Sequence, residues 1–200
     1  MRDLSSPALY VGFELGVGLL ALGLGRWLFG SFLFFESDAG PRALARAAVF
    51  WLPLGVFAVL VTSARVIRRL AFARRIYEDL RDCPVGDFIR FSGWPAFAAL
   101  SIMAGASEEL LFRGVLQAKA GLWISALLFG AMHALSWAYF WMAAALGLYL
   151  GWVYELTGRN LLVPAFLHAG YDFAVLLLFR RRMREDPEGH VGMLSRDPGV

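Results

Sequence analysis

The sequence predicts an all-α fold, a polytopic bundle of about six transmembrane helices with both termini in the cytoplasm. Three observations carry this expectation. Of the 200 residues, 59% are hydrophobic and only 18% charged, whereas a soluble domain carries about a quarter charged residues. The apolar residues fall in blocks of roughly 20, the helix length that crosses a hydrocarbon layer of about 30 Å. The arginines cluster at the ends of those blocks, where positive charge sets topology. The net charge of +3 is thereby explained by orientation in a lipid bilayer, and no nucleic-acid partner is inferred.

The first block, Ala8–Phe29, is interrupted by Glu14 and ends near Arg26. It runs past Gly25 without a clear small-residue cleavage site, so it reads as a retained span rather than a signal peptide. A polar link with Glu36, Ser37 and Asp38 leads to a second block, Leu44–Val66. The stretch from Arg65 to Arg90 is the most charged interior segment, and its Ile67, Leu70, Ile76 and Leu80 recur at helical spacing. It is expected either to lie flat on the membrane surface or to form a solvated connecting helix. Further blocks cover Trp94–Gln117, Leu122–Leu135 and Trp137–Leu156. The last begins near Leu161, with Pro164 in its first turn, where a missing N–H does little harm. It ends at Arg180, Arg181, Arg182 and Arg184, and the polar tail beyond is expected to be disordered. The chain thus divides into 1–92 (two spans and the basic segment), 93–180 (a four-span core) and 181–200 (the tail).

Topology is internally consistent. Four spans separate the two most arginine-rich segments, so both lie on one side, and the positive-inside rule makes that side cytoplasmic. The lone Cys83 cannot form an intramolecular disulfide and reads as a reduced thiol. The chain is expected in a bacterial inner membrane, and its oligomeric state cannot be read.

Within the spans sit Glu108, Glu109, Arg113, His133, His168 and Asp172. A charged residue at a helix centre costs roughly 2.5 to 3.5 kcal/mol on insertion scales, so such residues face a cavity or one another. Glu109 and Arg113 are four apart and share a helix face, as do His168 and Asp172. Glu108 points about 100° away from Glu109, so the same arginine does not serve both, and Glu108 is free to face a cleft. At about 1.5 Å per residue, Glu108 lies roughly 20 Å from the inner surface, His133 roughly 18 Å and His168 roughly 12 Å below the outer one. Three helices therefore bring polar groups to one depth. Glu14, alone in the first span, is read as structural or cavity-lining.

Glu108-Glu109-Leu110-Leu111-Phe112-Arg113 matches an EExxxR motif, Phe129 to His133 an FxxxH motif, and His168 to Asp172 an HxxxN/D motif. In this order they resemble the CPBP family, the CAAX proteases and bacteriocin-processing enzymes, including type II CAAX prenyl endopeptidases and bacterial glutamic-type, myxosortase-like members. The resemblance covers about Trp94 to Phe179. It implies an intramembrane endopeptidase that cleaves a membrane-anchored protein or peptide with a glutamate-activated water. Carried over, Glu108 is the general base, His133 positions the water or shares its proton, and His168 with Asp172 stabilises the oxyanion. Glu109 and Arg113 support the helix.

The family's prenyl-protein proteases have Asn where this chain has Asp172, and an ionised carboxylate cannot donate a hydrogen bond, so Asp172 is expected either to be protonated or to work indirectly, by orienting His168. No cofactor is required by this mechanism. Zinc remains possible, through His133, His168 and Glu108 or Asp172, although the HExxH signature is absent. The alternative function is a non-catalytic protein of the same fold, acting in bacteriocin immunity or as a binding scaffold. A proton-coupled transporter is disfavoured, because no duplicated half with broken helices is visible.

Overall fold

The computed structural model describes residues 6–31 and 41–186. The polar link with Glu36, Ser37 and Asp38, and the tail from 187 on, lie outside the described residues. Among the described residues there is no strand. The helices are α1 Pro7–Phe29, α2 Pro41–Thr62, α3 Ala64–Arg69, α4 Ala71–Asp82 and α5 Pro84–Phe91. They continue as α6 Trp94–Ala120, α7 Leu122–Met132, α8 Trp137–Leu156 and α9 Leu162–Glu185. The all-α bundle expected from the apolar blocks is the observed architecture.

Helices α1, α6 and α9 are long and apolar enough to cross a membrane, and the protein is an integral membrane protein. Helix α8 has the length, 20 residues, but its Trp, Tyr and Gly content lowers its mean hydropathy. The apolar part of α2, Ala47–Thr62, and α7 are shorter. At about 1.5 Å per residue α7 extends only about 16 Å, half the hydrocarbon thickness. It ends at Met132, three residues before the expected Leu135, with His133 as its C-cap.

Local chemistry sets the ends. Pro7 and Pro95 occupy first turns of α1 and α6, where no backbone donor is lost. Gly30 closes α1 in the left-handed conformation at φ 74°, its N–H donating to Arg26 O at 3.1 Å. Ser136 caps α8, its Oγ accepting from the Tyr139 N–H.

Helix α6 is the centre of the bundle, packed against α1 on one side and α9 on the other. It crosses α9 at Gly105, where an added Cβ would lie 2.7 Å from Ala165 O and 2.9 Å from Ala169 Cβ. Helix α7 pairs with α8 at Gly130, where a Cβ would meet Ala144 Cβ at 2.8 Å. Both are close approaches that small residues permit between membrane helices. Residues Leu110–Gln117 of α6 form a π-helix rather than the expected α-helix, beginning directly after the paired glutamates.

The basic segment packs its apolar stripe on the protein itself. Its three short helices fold against one end of the bundle, burying Ile67, Ile76, Tyr77, Phe88 and Ile89 against Phe97, Ala138, Met142, Phe179 and Met183. Tyr77 Oη donates to Asp186 at 3.3 Å, and Arg182 Nε donates to Thr62 O at 3.0 Å. The two arginine-rich segments therefore share one end of the molecule.

Candidate active site

Successive α-helical residues step by about 100°, and α6 uses this to face three helices in three residues. Ser107 Oγ donates to Glu14 Oε2 of α1 at 2.6 Å. Glu108 Oε2 lies 3.5 Å from His133 Nε2, at the end of α7. Glu109 Oε1 lies 2.8 Å from His168 Nδ1 on α9.

His133 is the C-cap of α7, and its Nδ1 lies 2.8 Å from Phe129 O, one of the carbonyls a helix end leaves unpaired. A carbonyl only accepts, so Nδ1 carries the hydrogen and Nε2 is left toward Glu108. The imidazole also stacks on Phe129, centroids 4.4 Å apart, while the His168 ring meets the same phenyl edge-on at 5.7 Å. One buried phenylalanine thus fixes the planes of both histidines.

His168 is 2% exposed and has a carboxylate at each nitrogen, Glu109 at Nδ1 and Asp172 Oδ2 at 3.4 Å from Nε2. The Glu109–Arg113 pair expected from four-residue spacing is present, Nε to Oε2 at 2.9 Å, with neither side chain more than 1% exposed. Arg113 also donates to Gly147 O of α8 at 2.9 Å and lies over the Phe129 ring at 5.2 Å. Glu109 therefore does more than clasp Arg113. It joins Arg113 to His168, a contact between helices that spacing along one helix could not reveal.

Glu108, His133, His168 and Asp172 line a single cavity of about 540 Å³, together with Glu14, Tyr139 and Tyr171. Leu100, Met142, Leu146, Val175 and Phe179 make most of the remaining wall apolar, and Leu80, Val85 and Ile89 of α4 and α5 border it. Glu109 and Arg113 do not line it. Glu14, read from the sequence as structural or cavity-lining, is part of that lining and is held by a contact the sequence did not show. An isolated acid in an apolar helix was the only signal, and its partner on α6 was not visible.

The donor set bears on a metal. Each histidine fixes Nδ1 on an acceptor and turns Nε2 inward, a common arrangement for a zinc ligand. Nevertheless, among the described residues no three His, Cys, Asp or Glu side chains converge to hold an ion.

Residues 90–174 match a family model described as type II CAAX prenyl endopeptidase Rce1-like. The match covers less than half of the 200-residue chain. The matched region contains α6, α7, α8 and the site half of α9, so the resemblance to the CAAX protease family is borne out over these helices. A curated relative, the "Uncharacterized protein YpbD" of Bacillus subtilis (strain 168), is 39% identical over 102 residues. The alignment covers 48% of this chain and 53% of that relative, so the chain spans about half its length. No solved structure matches. Helices α1 to α4 lie outside the Rce1-like region, and Glu14 with them.

Proposed function

We propose that the protein is an intramembrane endopeptidase that hydrolyses a peptide bond in a membrane-anchored protein or peptide. The observation that carries this is the facing pair Glu108 Oε2 and His133 Nε2, 3.5 Å apart in a largely apolar cavity. The Rce1-like match over the same helices supports it.

Glu108 is the base. Its Oε2 is buried without a hydrogen-bond partner among the described residues, so a lone pair is available to a substrate water. His133 Nε2 holds that water from the other side, its tautomer set by Phe129 O. The hydroxide oxygen bonds to the scissile carbonyl carbon as Glu108 takes the proton. His168 stabilises the developing oxyanion, and Asp172, beside its Nε2, orients it rather than donating to the oxyanion. The C–N bond then breaks and the amine leaves with a proton. Every step is served by this chain's own side chains, without a metal. The site belongs in a bacterial inner membrane, with the arginine-rich end of the bundle on the cytoplasmic face.

The test compares purified wild type and Glu108→Ala on membrane-anchored peptides in detergent, with products identified by mass spectrometry. Cleavage by wild type alone, unchanged by chelators, is the expected result. Equal cleavage by both proteins refutes the role of Glu108, and chelator-sensitive cleavage refutes the metal-free mechanism.

A further inference from the structure

The first helix delivers an acid that neither the three motifs nor the Rce1-like region contains. Glu14 is 6% exposed and lines the cavity that holds Glu108, His133, His168 and Asp172. Its Oε2 accepts from Ser107 Oγ at 2.6 Å, the residue next to Glu108. One turn along α1, at Gly18, an added Cβ would lie 3.5 Å from Ser107 Cβ. That contact holds Glu14 on the site side of α1. A carboxylate offers about four acceptor positions, and a single serine hydroxyl satisfies one of them. A purely structural clasp between two apolar helices would not aim such a group into a cavity already lined by a base and two imidazoles.

The chemistry lacks one assigned partner. Peptide hydrolysis needs a base for the water and an acid for the departing nitrogen. We propose that Glu14 is that acid, a second catalytic carboxyl that protonates the leaving amine; this rests on the endopeptidase reading above. Glu108 takes one proton from water as the new C–O bond forms. Collapse of the tetrahedral intermediate breaks the C–N bond while the Glu14 carboxyl gives its proton to the nitrogen. The products are a carboxylic acid and an amine, with Glu108 protonated and Glu14 ionised. Return of the proton from Glu108 to Glu14 across the cavity restores the site. The titratable groups that share the cavity with Glu14 are Glu108 of α6, His133 of α7, His168, Tyr171 and Asp172 of α9, Tyr139 of α8 and Tyr10 of α1 itself.

The experiment produces wild type and variants in cells and quantifies new protein termini in the membrane fraction by mass spectrometry. Termini that vanish with Glu108→Ala define the substrates. Glu14→Gln retains an oxygen for Ser107 but no acid proton, and is expected to cut the rate of their appearance by about 10²-fold or more. It should unfold at the wild-type temperature. In isolated membranes the alkaline decline of the rate should disappear with it, since the residual reaction no longer needs a protonated Glu14. A Glu14→Gln rate within about threefold of wild type, beside an inactive Glu108→Ala, overturns the proposal and leaves the endopeptidase reading intact. Termini indifferent to Glu108→Ala overturn both. Should Glu14→Gln fail to accumulate, Glu14→Asp decides, because it keeps the acid but withdraws it by one methylene. A lowered kcat at unchanged KM supports the role, and an unchanged kcat overturns it.

Discussion

Nδ1 of His168 lies 2.8 Å from Oε1 of Glu109, and the other oxygen of that carboxylate meets Arg113 Nε at 2.9 Å. One fully buried carboxylate therefore serves a cavity-lining imidazole and a guanidinium at once. Glu109→Ala leaves the Arg113 charge uncompensated, which costs about 3–5 kcal/mol for a broken buried pair. Unfolding in detergent should show that loss. Glu109→Gln should be milder in stability, yet slow cleavage by releasing the His168 ring.

Glu108 and His133 are expected to behave differently from Glu109. Both face the cavity, so Glu108→Ala and His133→Ala should fold and abolish cleavage, each losing about 10²-fold or more in rate. Asp172→Asn should retain activity, because an amide oxygen at that position still accepts from His168 Nε2. Parallel rate and unfolding measurements on the three variants separate these outcomes.

The crossing of α6 and α9 is testable at Gly105. A Cβ there would sit 2.7 Å from a backbone carbonyl, which cannot yield as a flexible side chain would. Gly105→Val should cost about 1–3 kcal/mol by overpacking and draw His168 away from Glu109. Gly12, whose Cβ would meet nothing within 4 Å, provides the control: Gly12→Ala should leave unfolding and activity unchanged.

Tyr77, outside the membrane-crossing helices, has its phenol pushed up from 10.0 to about 12 by burial and by Asp186 beside it. The native state thus holds the proton more tightly than the unfolded chain. The resulting stabilisation is complete below the unfolded value, about 10, and is lost as pH rises through about 12. Unfolding temperatures should fall across that window, and Tyr77→Phe should flatten the fall. An equally steep decline in Tyr77→Phe would assign the effect elsewhere.

The helices of the Rce1-like region were legible because apolar runs of spanning length leave few alternatives, and because Glu108, His133 and His168 are costly in such runs. Pairing along a helix was legible too, since Glu109–Arg113 and His168–Asp172 follow from four-residue spacing. The bond from Glu109 to His168 was not, because pairing between helices depends on the Gly105 crossing. The early stop of α7 was missed because Ala134 and Leu135 continue the apolar pattern, while the end is made by the His133 ring capping Phe129 O. The basic segment was legible only as far as its helices. Its apolar stripe was correctly periodic, but periodicity cannot say whether lipid or Phe97 and Phe179 will cover it. Nothing in the composition of Leu110–Gln117 announced its wider winding.

Ser107, Glu108 and Glu109 occupy consecutive positions and look toward three different neighbours. Azimuth and sequence order are thereby locked together. Inserting or deleting a single residue between Gly105 and Ser107 would not merely displace one group. It would rotate the whole triplet by more than a quarter-turn and mismatch all three contacts at once, so the spacing of this short run is fixed as firmly as its residues.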